Sequence, residues 1–408
     1  MKCRHCNDSL EHLFLDLGFA PPSNAYLTET DLNSPELYFP LKLLVCEKCW
    51  LVQTEDYTKA DELFSNDYAY FSSVSQGWLD HSLAYFRLVW ERFSLNSNSY
   101  VVEIASNDGY LLKNFVAEGI PCLGIEPTAS TASAAEELGV PVLREFFGSD
   151  LAQKLVEEKK YADLIIGNNV YAHVPDINDF TKGLKKLLKS DGVITLEFPH
   201  LMKLIEHAQF DTAYHEHFSY LSLTTVSRIF SNEGLRIWDI EELNTHGGSL
   251  RVYGCHENSE RVNTAKVNQI LNQELKSGLL DIMTYKEFQA QAEKVKNALT
   301  SFLINQKNAG SSVAAYGAAA KGNTILNYAG IKTDLLPYVC DSAPSKQGKY
   351  MPGSHIPILS PKVLRERKPE YIIILPWNIA EEVLGEYSYA KEWGAKFVTA
   401  VPELRIIE

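Results

Sequence analysis

The sequence predicts an α/β protein in three parts: a small cysteine-bearing N-terminal domain, a central Rossmann-like parallel sheet, and a second, smaller Rossmann-like α/β domain at the C-terminal end. Three observations carry this expectation. Two C-x-x-C pairs, Cys3/Cys6 and Cys46/Cys49, frame the N-terminal segment. From Tyr100 onward, short β-branched runs alternate with helical stretches, the pattern of a parallel sheet with crossover helices. A second strand, glycine turn and helix, "SSVAAYGAAAKGNTILNY", opens the last quarter of the chain.

Size and composition bound the function. At 408 residues the chain exceeds what one core supports, and 45% hydrophobic content is ample for two or three domains. The net charge of −14 has its acidic residues spread along the chain, which disfavours nucleic acid as a partner because phosphate binding needs a basic face. A small-molecule ligand is the better expectation. The polar start "MKCRHCNDSL" and the lack of an apolar run of about 18 residues support neither a signal peptide nor a membrane span. The cytoplasm is therefore the expected compartment. No heptad seam is present, so a monomer is expected.

The N-terminal cysteines come first in chain order. Each C-x-x-C pair can supply half of a tetrahedral S4 site for zinc, and Cys3, Cys6, Cys46 and Cys49 together leave no open position. Such a site is structural: it staples a segment too short to hold its own core. Only Lys42 and Lys48 lie near the second pair, so the module is read as a folding unit and a lid over a neighbouring site, not a nucleic-acid ribbon. The remaining cysteines, Cys122, Cys255 and Cys340, stand alone, unlike an extracellular disulfide framework.

"SYVVEIASNDGYLLKNFV" reads as strand, tight turn and helix, with Gly109 at the turn and Asn107 and Asp108 as helix caps. "PCLGIEP" is a second strand ending in Glu126. An acid there suits the hydroxyls of a ribose, while the first turn brings backbone close to the ligand. "YADLIIGNNVYAHVPD" is a further strand and loop, "LKKLLKSDGVITLEFP" a helix, glycine turn and strand, and "LRIWDIEELNTHGGSLRVYGCH" two antiparallel strands. A dehydrogenase sheet would carry G-x-G-x-x-G after its first strand, and "ASNDGY" does not.

"QELKSGLLDIMTYKEFQAQAEKVKNALTSFLINQK" has helical periodicity and is expected to connect the halves. In "YGAAAKGNT" the start of a helix offers N–H groups to an anion. Lys321 precedes Gly322, the reverse of a Walker motif. Asp341 at a strand end, with Lys346 and Lys349 in the following loop, are expected to help hold a diphosphate and its nucleoside. "EYIIILPW" is another buried strand.

One stretch remains. "FDTAYHEHFSYLS" gathers a phenol, a carboxylate and two imidazoles at Tyr214, His215, Glu216 and His217. Adjacent residues cannot all aim at one ion without an irregular backbone, which argues against a catalytic metal there.

The strand order over about residues 99–256 resembles the class I methyltransferases that use S-adenosylmethionine. That family's first motif is acid-x-Gly-x-Gly-x-Gly; here Glu103, Ala105, Asn107 and Gly109 hold those places, so two glycines are missing. Taken with the cysteines, "DYAYFSS", "EIASNDGYLL", "NNVYAHVPDINDF", "YHEHFSYLS", "HGGSLR" and "YGAAAKGNT", nearly the whole chain resembles the zinc-containing C-methyltransferases of nucleotide-linked deoxysugars. The resemblance implies a zinc-binding domain (1–65), a methyltransferase domain (66–256), a helical connector (257–305) and an α/β nucleotide-sugar-binding domain (306–408). It also implies a thymidine diphosphate 4-keto-deoxysugar methylated at C3.

By the same resemblance, the cofactor set is Glu103, Ala105, Asn107, Gly109, Glu126 and Asn168, and the sugar-nucleotide set Lys321, Asn323, Asp341, Lys346 and Lys349. The catalytic set is His217 as base with Tyr214, Glu216, His173 and Tyr68. The chemistry suits these side chains. A 4-keto group acidifies its neighbouring carbon, so an imidazole can remove a proton. A carboxylate can orient that ring, and a phenol or second imidazole can donate to the enolate oxygen. An O- or N-methyltransferase, and a noncatalytic zinc-ribbon adaptor with a degenerate cofactor loop, are the alternative readings.

Overall fold

The computed structural model describes residues 1–55 and 71–408. Strands β1 (His12–Ala20), β2 (Phe39–Val45) and β3 (Val52–Thr54) form an antiparallel sheet beside the cysteines. Its inner face does not close a core alone: Phe14 stacks on Phe288 at 4.6 Å, and Leu41, Leu43 and Val45 share one core with the 22-residue helix Phe288–Ala309 and the C-terminal sheet.

The central sheet contains β4 (Val101–Ile104), β5 (Cys122–Ile125), β6 (Val142–Leu143), β7 (Ala162–Asn168) and β8 (Leu188–Pro199). After it come a two-residue strand, β9 (Ser219–Tyr220), and the hairpin β10 (Leu235–Leu243) and β11 (Ser249–His256). The sheet order is β10-β11-β8-β7-β4-β5-β6, parallel from β8 to β6 with the hairpin antiparallel at one edge. These strands are near-continuous apolar runs because helices cover both faces. β8 follows the helix Ile177–Leu187 directly, and Ser190–Gly192 lie within it opposite a register shift, where a separate glycine turn is expected from sequence.

Strand β9 stands outside this sheet and pairs with β3, Val52 opposite Tyr220 and Gln53 opposite Ser219, as the fourth strand of the N-terminal sheet. The expected connector is not one helix: Ala265–Lys276 ends at a turn with Gly278 at φ +80°, and the long helix begins at Phe288.

The C-terminal sheet holds β12 (Val313–Tyr316), β13 (Val339–Cys340), β14 (Ile358–Leu359), β15 (Tyr371–Ile374), β16 (Lys396–Thr399) and β17 (Arg405–Ile407). Its order is β14-β13-β12-β15-β16-β17, parallel except at β17. Each parallel sheet therefore has a point where the strand order reverses, at β4 and at β12, and ligands bind beyond the strand ends at such points. Among the described residues, no helix is long and apolar enough to cross a membrane.

Candidate active site

Both reversal points open into one cavity of about 640 Å³. Ala105, Asn107, Glu126 and Asn168 line it from the central sheet, and Ala319, Ala320, Lys321 and Pro376 from the C-terminal sheet. Asn24 and Tyr26 line it from the N-terminal module.

The loop after β4 explains how a motif short of two glycines still turns. Ala105, Asn107 and Gly109 have φ of +56°, +50° and +75°, so all three glycine positions keep the left-handed conformation. Asparagine tolerates it well, whereas alanine is strained by about 1 kcal/mol. The loop is pinned across the sheet. Ala105 N donates to the Ile125 carbonyl at 2.8 Å, and Glu126 accepts from Asn107 N at 3.0 Å and Thr128 N at 2.9 Å. Gly109 does not line the cavity; a Cβ there would meet that of Ala135 at 3.0 Å, so its place is set by helix packing.

Glu103 is also off the cavity, fully buried beneath the loop. Burial pushes its carboxyl well above the usual carboxylate range, with the Tyr110 hydroxyl opposing. Asn107 and Asp108 do not cap the next helix, which starts at Leu112 without a side-chain cap. They accept instead from Ser72 N and Ser73 N at 2.9 and 3.0 Å, a tertiary bond that displaces the local one. The Oδ1 atoms of Asn168 and Asp108 are buried without a partner. Asn168 and Glu126 both line the cavity, Asp108 does not, and this acceptor-bearing wall fits the ribose and amino-acid ends of S-adenosylmethionine.

The "YHEH" segment enters from the turn Phe210–Thr212. His217 Nδ1 lies 2.9 Å from the Thr212 carbonyl, and His173 Nδ1 lies 2.9 Å from the Glu216 carbonyl. Their rings meet edge-on at 4.6 Å, and the Tyr214 ring lies 3.9 Å from that of His217. Burial holds His217 well below the usual imidazole range and His173 down to about 4, so both rings are neutral at pH 7.

Glu216 does not orient His217, which corrects that expectation. Both oxygens of Glu216 accept from Asn24 Nδ2 at 3.2 Å, and the Nδ1 of His217 is held by the Thr212 carbonyl instead. Burial raises its carboxyl to about 7. His215 packs against Phe39 at 6.0 Å and does not line the cavity. Tyr68 lies outside the described residues.

Of the expected sugar-nucleotide residues, only Lys321 and Lys346 line the cavity. Asp341 is turned to backbone, accepting from Ala318 N at 2.7 Å and Ala343 N at 2.8 Å. Buried Asn323 donates to the Ser23 carbonyl at 2.6 Å, tying helix Ala320–Tyr328 to the N-terminal module. Lys349 sits in its own loop, off the cavity. Burial lowers Lys321 to about 8, with Asp211 opposing; its Nζ donates to Asn378 Oδ1 at 3.0 Å and lies 4.6 Å from the Trp377 ring.

Sequence reasoning missed several wall residues: Asn24, Tyr26, Trp78, Asn169 and His246. His246, at φ +55°, lies 3.3 Å from Asn169 Nδ2 and 5.6 Å from the Trp78 ring. The "HGGSLR" stretch carried a signal for His246; nothing local marks Asn24 or Tyr26.

The four N-terminal sulfurs lie within 4.8 Å of one another, with Cys3 to Cys49 and Cys6 to Cys46 at 3.5 Å. A tetrahedral zinc with bonds of about 2.3 Å needs sulfurs about 3.8 Å apart, so the cluster fits. Both knuckles share one geometry: Asn7 and Trp50, each following a second cysteine, have φ of +61° and +64°.

The family models follow this anatomy. A family model for a zinc binding domain matches residues 3–64, one for a methyltransferase domain residues 78–240, and one for a C-methyltransferase C-terminal domain residues 244–402. The C-methyltransferase NovU of Streptomyces niveus is 32% identical over all of this chain and 96% of its own length. Among solved structures, the PH0226 protein of Pyrococcus horikoshii OT3 is 15% identical, with 49% of this chain and 99% of that one covered at a TM-score of 0.38. The magnesium protoporphyrin IX methyltransferase of Synechocystis PCC 6803, solved with bound S-adenosylmethionine, is 14% identical, with 44% and 80% covered at 0.34.

Fold and site together define a class I methyltransferase built onto a four-cysteine zinc module. The chain belongs to the C-methyltransferase family, and its activity is S-adenosylmethionine-dependent methyl transfer to carbon.

Proposed function

We propose that the acceptor is a nucleotide-linked 4-keto-deoxysugar, thymidine diphosphate-linked, methylated at C3 after His217 removes the C3 proton. The observation that carries this is the neutral His217 ring, its Nδ1–H given to Thr212 and its other nitrogen carrying the lone pair beside a cavity lined from both sheets. A ketone makes the adjacent C–H acidic enough for such a base. Bound S-adenosylmethionine supplies an electrophilic methyl group. The chain's own residues do the rest. Ala105, Asn107, Glu126 and Asn168 hold the cofactor. Tyr214 donates toward the enolate oxygen. Lys321, Lys346 and the start of helix Ala320–Tyr328 face the anionic diphosphate across the cavity.

Glu216 is a second candidate base, because burial brings its carboxyl to about 7, near working pH. Incubating the enzyme with substrate and S-adenosylhomocysteine in deuterated water tests the reading. Deuterium is expected at C3 without methyl transfer. Exchange at C5, the other carbon beside the ketone, would move the methylated position, and no exchange at either would reject the ketone mechanism.

A further inference from the structure

The segment that carries His217 runs directly into β9, a strand of the zinc module's sheet, and two residues of that module fasten it. Gln53 in β3 is fully buried. Its Nε2 donates to Cys3 Sγ at 3.2 Å and its Oε1 accepts from Arg4 N at 2.9 Å. Its main chain pairs with Ser219, and the next residue, Thr54, donates its N–H to the Phe218 carbonyl at 3.2 Å, one residue beyond His217. Arg4, inside the first knuckle, reaches the same place from the other side. Its guanidinium donates to the carbonyls of Pro175, at 2.9 Å, and Thr54, at 3.1 Å, and lies 5.4 Å from the Phe218 ring. Pro175 closes the loop that carries His173.

From this we infer that Gln53 and Arg4 are positioning residues that couple the zinc site to the His173–His217 pair. The coupling rests on the reading of these imidazoles as catalytic. Zinc with four thiolates carries two net negative charges, so an N–H directed at Cys3 Sγ stabilises the filled site, as outer-sphere donors do elsewhere. The same residue's backbone then carries that order into β9. A staple serving only its own knuckle would not need a buried glutamine bonded through both atoms of its side-chain amide and paired along its main chain to the strand that follows His217.

The test uses the full-length, zinc-loaded protein. Gln53→Leu is expected to weaken zinc retention against a chromophoric chelator by about 10- to 100-fold. It should also slow C3 deuterium exchange while leaving nucleotide and S-adenosylhomocysteine affinity unchanged. In wild-type protein, withdrawing zinc should expose the amides of residues 218–221 to hydrogen exchange while Val313–Tyr316 stays protected. That measurement decides the matter should the variant not fold. Unchanged zinc retention, unchanged C3 exchange despite weakened zinc, or loss of protection throughout the chain would each overturn the coupling. A wild-type enzyme that exchanges no sugar proton would instead reject the proposed reaction, and the zinc and amide measurements would still decide whether Gln53 links the two sites.

Discussion

The Nδ1 atom of His217 and the carbonyl oxygen of Thr212 stand 2.9 Å apart. A carbonyl can only accept, so the proton is assigned to Nδ1 and the lone pair to Nε2. His217→Asn is then expected to slow C3 proton exchange and turnover by about 10²- to 10⁴-fold with cofactor and nucleotide affinity nearly intact. Exchange at the wild-type rate would assign the base elsewhere, with Glu216, Tyr214 and His173 as the groups to test. Failure to bind the nucleotide-sugar would make the segment a substrate clamp.

Glu126 has two tasks. It faces the cavity, and its carboxylate holds Asn107 N and Thr128 N. Glu126→Ala is expected to weaken S-adenosylmethionine binding tenfold or more, about 1.5 to 3 kcal/mol for lost charge-assisted hydrogen bonds. Titration calorimetry on the folded variant checks it, and an unchanged Kd would remove Glu126 from the cofactor site.

One zinc per chain is expected on Cys3, Cys6, Cys46 and Cys49, whose sulfurs gather within 4.8 Å of one another. Elemental analysis of protein prepared without chelator measures it. Metal content unaffected by Cys46→Ser would place the ion elsewhere.

Gly247 tests how the C-terminal half bears on the site. Its φ is +87°, and a Cβ there would stand 2.3 Å from the Trp377 ring, which is itself fixed by its indole N–H to Asp211 Oδ2 at 2.7 Å. The ring cannot swing away without breaking that bond, so Gly247→Ala should cost about 2 kcal/mol or more through backbone strain and the displaced ring. Equilibrium unfolding in urea reads the loss, and a neutral substitution would mean that Trp377 is mobile.

What the sequence disclosed was local. The C-x-x-C pairs, the alternation of β-branched and helical runs, and the acid after the second strand are patterns within short windows, and each appears as an element of the structure. What it concealed was made by contacts between distant residues. Strand β9 is two residues long and has no periodicity to read, yet its pairing with β3 joins the "YHEH" segment to the zinc module's sheet. Asn24 meets Glu216 across 192 positions, so nothing near "YHEH" foretells that the carboxylate turns from His217. Asn107 and Asp108 were credible helix caps until the Ser72 and Ser73 amides competed for them.

Glu216 gives a prediction whose sign separates burial from pairing. Its carboxyl is raised from 4.5 to about 7 by burial, with the Asn24 amide only partly offsetting. A group whose folded value lies above its unfolded one contributes stability that is fully present below the unfolded value and is lost as pH rises through the folded one. The window is therefore about pH 4.5 to 7, and the loss amounts to about 3 kcal/mol. His173, lowered from 6.5 to about 4, acts oppositely: its contribution is present above 6.5 and lost as pH falls toward 4. Glu216→Gln keeps the shape of the neutral acid and cannot ionise, so it should match wild type near pH 4 and exceed it at pH 8. The histidine contribution is common to both proteins and cancels in the difference. Urea unfolding of both at the two pH values measures that difference. A variant less stable at pH 8 would mean that the ionised carboxylate has a partner in solution, and would point to a charged orienting role for Glu216 after all.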